Sequence, residues 1–300
     1  MTFKNSMKIL SSNFSLCWKQ LAWMVLCTII TFSLAGLVAM PVFSMLEREG
    51  FFAAVADLFE LIYVSPKEFP TAFASTGEMF IRLVKQYATS GLLASYIGTV
   101  LVFVLCGSLC HCIGAFTCGS VLDAKMSSNA HMGYCTRLLS CLGRSVSYTF
   151  AYIVISIPFW AALVVLVRAY FAFSKGFILT VTLLPVFVIL IYMLLALKLT
   201  LFANMLPEMI ASGVRNPFAA FAKGFLLTVG RFWRMFSNSI CLLLVVGVVN
   251  LFVGVFTITA GLIVTIPASS VLIAAYKMVT FYSCCGRNFY VSESVVVNLR

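Results

Sequence analysis

Charged residues are scarce in this sequence. Only 10% of the 300 residues are charged and 62% are hydrophobic. Soluble domains average about 25% charged and about 45–50% apolar residues. The mean hydropathy is +1.08. This composition excludes an ordinary soluble domain and indicates a chain whose solvent is lipid. Lipid leaves helices or a closed barrel as spanning structures, and continuous apolar runs rather than alternating segments favour helices.

Acidic residues and histidine are scarcer still, with nine Asp or Glu and two His. No acidic residue falls inside a predicted span, which argues against a carboxylate relay for protons or sodium. The chain also lacks a Gly-x-x-x-x-Gly-Lys-[Ser/Thr] loop, a His-Glu-x-x-His and a Gly-x-Ser-x-Gly motif. Few residue sets could perform general acid–base chemistry, so we expect neither an enzyme nor a cofactor.

Six apolar runs have the length of about 20 residues or more that crossing the hydrocarbon core requires. The first is longer than the roughly 7–15 residues of a cleaved signal peptide, so we expect an uncleaved anchor. No charge interrupts residues 236–276, which are too many for one span, and we place a tight turn near residues 259–261. The predicted spans are Leu21–Phe43, Gly91–Thr117, Val146–Val167, Phe177–Phe202, Ser237–Phe256 and Leu262–Ser283.

Basic residues gather at the ends of these runs, which explains the net charge of +11 by orientation in the membrane rather than by nucleic-acid binding. With the N-terminus inside, thirteen Lys and Arg lie in inner segments and six in outer ones. None of the eleven cysteines lies in the outer segments Ser44–Ser90 and Arg168–Gly176, as expected if thiols stay on a reducing side. We therefore predict a cell membrane of the cytoplasmic type, with both termini inside.

A basic amphipathic helix is predicted before the first, third and fifth spans. The clearest begins at Asn216, a favourable N-cap, with Pro217 at the first helical position. Residues 3–21 and 134–146 show the same pattern of an apolar stripe opposed by polar or basic residues, which is typical of helices at a membrane interface. The bases of the second and third of these helices are Arg137, Arg144, Lys223, Arg231 and Arg234.

Each amphipathic helix leads into an outward span and a returning one, which predicts a threefold internal repeat. The repeats comprise residues 1–120, 121–205 and 206–290, with an outer insertion at 44–90 and a tail at 291–300. In the insertion we expect two short interfacial helices, the second opened by the capping box Ser75–Glu78. The predicted fold is a single all-α membrane domain, 1–300, of six transmembrane helices arranged as three units of elbow helix plus helical hairpin.

Two of the repeats share a Gly-Arg junction, at Gly143-Arg144 and Gly230-Arg231, just before or within the start of an apolar hairpin. In this layout the chain resembles poorly characterised bacterial six-helix membrane families, among them the membrane domain attached to some glycerophosphodiester phosphodiesterases. The resemblance extends over most of the chain. It departs at one point, because no phosphodiesterase domain is present, and so no catalytic residue is implied.

Cysteines and a histidine crowd the inner end of the second span, at Cys106, Cys110, His111, Cys112 and Cys118. Cys106 and Cys110 share a helix face, whereas His111 and Cys112 point elsewhere. Zinc requires four ligands converging in a tetrahedron, commonly from paired Cys-x-x-Cys elements. We therefore favour cysteines that pack between helices, and we predict no metal site.

Lys198 and Lys277 occupy similar positions near the inner ends of the fourth and sixth spans, with His111 loosely equivalent in the first repeat. One interpretation is that the lysines extend to the inner interface. The other is a ring of cations that holds anionic lipid headgroups, together with Arg144, Lys223, Arg231 and Arg234.

Asn250 is the one strongly hydrogen-bonding side chain deep in the fifth span, where an interhelical hydrogen bond is its usual role. Pro158, Pro185 and Pro267 interrupt the third, fourth and sixth spans, and interrupted helices can mark transport sites.

The sequence therefore predicts a non-catalytic multi-pass protein: a scaffold, an accessory subunit with a membrane-protein partner, or a factor in lipid or envelope homeostasis. Its expected partners are anionic lipids of the inner leaflet, and no nucleic acid. The alternative is a small permease or channel with a pathway between the repeats, near Asn250 and the three prolines.

Overall fold

A computed structural model of the chain describes residues 2–65, 67–87, 90–173, 177–292 and 295–297. Within these residues the protein is almost entirely helical. Its helices and strands, in chain order, are α1 (Thr2–Ser12), α2 (Ser15–Arg48), α3 (Phe51–Val64), α4 (Phe69–Gln86), α5 (Ser90–Ser128), α6 (Tyr134–Phe173), α7 (Phe177–Phe202), α8 (Met205–Ala211), α9 (Pro217–Val229), α10 (Phe232–Phe256), α11 (Leu262–Cys285), β1 (Phe289–Ser292) and β2 (Val295–Val297).

Six helical segments in the described part of the chain are long and apolar enough to cross a membrane: α2, α5, α6, α7 with its continuation α8, α10 and α11. Each contains one of the six predicted apolar runs. The turn predicted near residues 259–261 is also confirmed, because α10 ends at Phe256 and α11 begins at Leu262. The protein is thus an all-α chain of the multi-pass membrane type.

Several helices are longer than the apolar run that predicted them. α6 has 40 residues, which at about 1.5 Å per residue is about twice the roughly 30 Å of a hydrocarbon core. The segment from Tyr134 that we expected as a separate elbow helix is the first part of α6, and the helix runs through Gly143 without interruption. A single glycine costs a helix only about 1 kcal/mol, so by itself it does not end one.

The other two amphipathic segments do contain separate helices, α1 and α9, but both are shorter than predicted. Residues 15–21 belong to α2, and Arg231 and Arg234 lie beyond the end of α9. Asn216 caps α9 as predicted, since its Oδ1 accepts hydrogen bonds from the backbone N–H groups of Phe218 and Ala219 at 3.0 and 3.4 Å. α9 ends before Gly230 and Arg231, and α10 begins at Phe232.

Two short helices, α3 and α4, form most of the insertion, as expected, and Phe51 and Phe80 pack between them with ring centroids 5.5 Å apart. The predicted start of the second helix is wrong. α4 begins at Phe69 with Pro70 in its first turn, and the Ser75 Oγ donates to the Ala72 carbonyl inside the helix. Proline is suited to a first turn because its φ is already helical, so the helix begins before the capping box.

The chain forms two compact units, one of Met1–Val25 with Leu109–Arg300 and one of Leu26–Ser108. The core of the first unit lies where α5, α6, α7 and α11 meet, around the fully buried side chains of Phe116, Tyr148, Phe202 and Phe281. Long stretches of the same helices expose leucine, isoleucine, valine and phenylalanine, as lipid-facing surfaces do.

The C-terminal tail contains a β-hairpin that the sequence analysis did not predict. β1 and β2 pair antiparallel, with Phe289 opposite Val297. The hairpin packs against α1, where the Ser12 Oγ donates to the Val291 carbonyl at 3.3 Å. Gly286, in the left-handed conformation at φ 63°, ends α11 and allows the chain to turn back.

Candidate anion site

Lys198 is held by aromatic rings. Its Nζ lies 4.8 Å from the ring centroid of Tyr152, 4.9 Å from that of Trp160 and 6.0 Å from that of Phe202. Positions four residues apart share a helix face, which places Tyr152 and Trp160 on one side of α6 and Phe202 one turn after Lys198 on α7. Ring faces attract cations within about 6 Å, so this cage fixes the ammonium between α6 and α7.

Lys277 lies on the neighbouring helix α11 and is buried, with 8% of its surface exposed. Its charge acts on that of Lys198, and both lysines act electrostatically on His111 of α5. Helices α5, α7 and α11 therefore each carry one of three basic side chains that lie within electrostatic range of one another. We call His111, Lys198 and Lys277 the cationic cluster. It unites the two lysines that the sequence analysis proposed and the histidine that it placed in an equivalent position.

No carboxylate balances the cationic cluster among the residues that the structure describes. Burying an ammonium without a partner is costly, so such a group either gives up its proton or is paired with an anion. The cationic cluster therefore has the electrostatic properties of an anion site.

Part of the cationic cluster and of the aromatic cage reaches the protein surface. His111 is exposed, whereas Lys277 is buried. Trp160, which forms one wall of the cage, is 54% exposed. Ile157 and Leu195, at 57% and 48% exposed, lie within one turn of Trp160 and Lys198 on the same two helices. The exposed side chains next to the cage are thus apolar, like the lipid-facing surface.

The other basic residues proposed from the sequence lie outside this cluster. Arg144 Nη2 donates to the Met209 carbonyl near the end of α8, and its guanidinium lies 5.7 Å from the Phe116 ring centroid. Arg231 Nη1 donates to the Ser283 carbonyl at 3.1 Å. Lys223 and Arg234 are exposed. The two arginines thus bind backbone carbonyls of neighbouring helices, and the other two are free to face solvent or headgroups.

Asn250 makes the interhelical bond that is usual for its residue type. Its Nδ2 donates to the Val246 carbonyl at 2.8 Å and to the Ser269 Oγ of α11 at 3.0 Å. Pro158, Pro185 and Pro267 do not break their helices, because α6, α7 and α11 run through them. Pro267 is buried, whereas Pro158 and Pro185 are exposed. Asn250 thus bonds within α10 and to α11, whereas Pro158 lies two residues before Trp160 of the cage.

Two of the cysteines near the inner end of the second span pack inside the protein. Cys112 and Cys118 are buried in the core, and Cys118 Sγ donates to the Gln20 Oε1 at 3.0 Å. Across the described ranges, no group of three or more His, Cys, Asp or Glu side chains is arranged to hold a metal ion.

Sequence reasoning missed two buried polar groups near the cationic cluster's end of the bundle. Gln20 accepts hydrogen bonds from Cys118 and from the Tyr134 hydroxyl, the latter at 2.9 Å. Asn204, between α7 and α8, donates to the Thr228 Oγ1 at 3.1 Å. Both residues have an amide side chain among mostly apolar neighbours in the sequence, which indicates a buried hydrogen bond. The sequence analysis used this signal only for Asn250.

Comparison with protein-family models, with curated proteins and with solved structures finds no match to this chain. The function of the cationic cluster must therefore be argued from its own residues.

Proposed function

We propose that this chain is a non-catalytic multi-pass membrane protein that binds the anionic group of a lipid at the cationic cluster, and that it acts as a scaffold or in lipid or envelope homeostasis. The observation that supports this proposal is that Lys198, Lys277 and His111, on three helices, lie within electrostatic range of one another, and that no carboxylate among the described residues balances them. A buried ammonium that keeps its proton without a partner is costly, and a lipid anion would offset that cost.

The proposed arrangement in the membrane follows the sequence analysis. Both termini face the cytoplasm in a cytoplasmic-type membrane, and the six spans form three repeats of a similar layout, as in the bacterial families that the chain resembles. The exposed bases Lys223 and Arg234 would then face the anionic inner leaflet, where each contributes about 1 kcal/mol of attraction. A membrane-protein partner remains part of the scaffold proposal.

The transport alternative has less support. Its pathway would pass Asn250, but the Asn250 amide donates to Val246 and Ser269, which is the ordinary structural use of such a residue. The three prolines lie within continuous helices rather than at breaks.

The test is native mass spectrometry of the protein released gently from its own membrane. We expect anionic lipid to be retained by the unaltered protein and lost when Lys198→Gln is combined with Lys277→Gln. The matched control is Lys8→Gln with Arg215→Gln, which removes the same charge from two exposed positions. Retention that falls equally in both double variants would reflect net charge alone and would contradict the proposal.

A further inference from the structure

The cationic cluster also indicates which kind of anionic headgroup it would take. We infer that it is a site for a phosphate monoester carried by a membrane-embedded lipid. This inference rests on the proposed function, and it adds the charge of the headgroup and the side from which the ligand enters.

The first argument is charge balance. Lys198 and Lys277 supply two positive charges when protonated, and no carboxylate of the described residues pairs with either one. A phosphate monoester carries a charge of about −1.5 to −2 at neutral pH, and nearby ammonium groups favour the full dianion. A phosphodiester lipid carries a single negative charge and would leave one buried cation unbalanced. The monoester is therefore the better electrostatic match.

The second argument is that Lys198 and Lys277 differ in their burial and in their contacts with aromatic rings. Lys198 already has favourable contacts to the rings of Tyr152, Trp160 and Phe202, so its ammonium is positioned before a ligand arrives. Lys277 is buried and has no such cage among the described aromatic residues. Lys277 is thus the residue that gains most from an anion. His111, which is exposed, can donate a further hydrogen bond to a phosphate oxygen.

The third argument is access from lipid. The rim residue Trp160 is exposed, and the exposed neighbours Ile157 and Leu195 are apolar. Lys198 lies four residues before the end of α7 at Phe202, which is about 6 Å along the helix axis. A headgroup would thus reach the cationic cluster near the end of α7, and its acyl chains would follow the apolar surfaces of α6 and α7. Free phosphate has no chains to use that surface.

The experiment measures binding of three probes to the full-length protein in delipidated detergent micelles by native mass spectrometry. The probes are dioleoyl phosphatidic acid, which is a monoester, dioleoyl phosphatidylglycerol, which is a diester with the same chains, and inorganic phosphate. We expect phosphatidic acid to bind about tenfold more tightly than phosphatidylglycerol, a ratio that corresponds to about 1.4 kcal/mol. Lys277→Gln should reduce that ratio to about one, and the exposed control Lys8→Gln should leave it unchanged. A second variant, Lys198→Gln, repeats the test if Lys277→Gln does not fold.

The outcomes separate the inference from the proposed function. Equal binding of both lipids that is still lost in the lysine variants would overturn the monoester inference and leave the proposed function standing. Equal binding of both lipids that is unchanged in the Lys198 and Lys277 variants would overturn both the monoester inference and the proposed function. Displacement of phosphatidic acid by millimolar inorganic phosphate would identify a site for free phosphate and overturn the lipid part of the inference.

Discussion

At the scale of single residues, Lys198 and Lys277 are two lysines in similar sequence positions that differ in their burial and in the groups around them. Lys198 lies 4.8 and 4.9 Å from two aromatic ring centroids on α6, whereas Lys277 is buried without a carboxylate partner among the described residues. Both positions are within two turns of the end of an apolar run, where a lysine is expected to reach the interface. Lys277 departs from that expectation, because it is buried.

This difference predicts that Lys277→Met stabilises the lipid-free protein. Methionine keeps the volume and removes an unpaired buried charge, which is often neutral or stabilising by about 1–4 kcal/mol. Thermal unfolding in delipidated detergent, followed by tryptophan fluorescence, should show an unchanged or raised midpoint. The control is Lys8→Met, which makes the same substitution at an exposed position. It measures how far the exchange of lysine for methionine changes the midpoint in detergent when no buried charge is removed. A midpoint lowered by Lys277→Met alone would mean that the ammonium has a stabilising partner in the folded protein.

At the scale of helices, the described part of the chain shows why a local pattern is an incomplete guide to where a helix ends. Asn216 and Pro217 form an N-cap and a first turn, and α9 begins there as predicted. Gly143 and Gly230 are each followed by arginine. Helix α6 nevertheless continues through Gly143, whereas α9 ends before Gly230. Tertiary contacts, rather than the dipeptide, decide between these outcomes.

Glycine substitutions test the close packing of α9. A Cβ added at Gly224 would meet the Asn204 carbonyl carbon at 2.9 Å and the Met205 nitrogen at 3.0 Å, both of them backbone atoms that cannot move aside. Gly224→Ala should therefore destabilise the protein by about 1–3 kcal/mol. Gly143→Ala, where nothing lies within 4 Å, should be neutral or stabilise by up to about 1 kcal/mol.

Chemical or thermal unfolding of both variants in the same detergent measures this difference. If the two substitutions have the same effect, α9 does not pack against the α7–α8 connection as closely as the structure describes.

At the scale of the whole molecule, six helices that suit a bilayer and the scarcity of charge agree on a multi-pass chain. The direction of insertion is a separate matter, because it depends on where the bases lie relative to the membrane. Thirteen bases against six predict that the termini face inside. Cys135 and Cys285 are exposed at the ends of α6 and α11 and should lie on that same side.

Thiol labelling tests this orientation. A membrane-impermeant maleimide should label Cys135 and Cys285 in inverted vesicles and leave the protein unlabelled in intact expressing cells. Lys67→Cys adds an exposed thiol between α3 and α4, in the outer insertion, and should make the protein reactive in intact cells. Labelling of the unaltered protein in intact cells, without a gain from Lys67→Cys, would reverse the predicted topology.

The sequence by itself determined the class of the protein, the number and order of the spans, and the turn before Leu262. These follow from apolar length and from the need of every buried backbone group for a partner, which are properties of each segment alone. Only the tertiary structure decided that Lys198, Lys277 and His111 form one cluster, that Tyr152 and Trp160 cage Lys198, and that the tail returns as a hairpin to α1. Those contacts depend on how each helix is rotated and packed against its neighbours, and a local pattern within one helix does not specify that rotation.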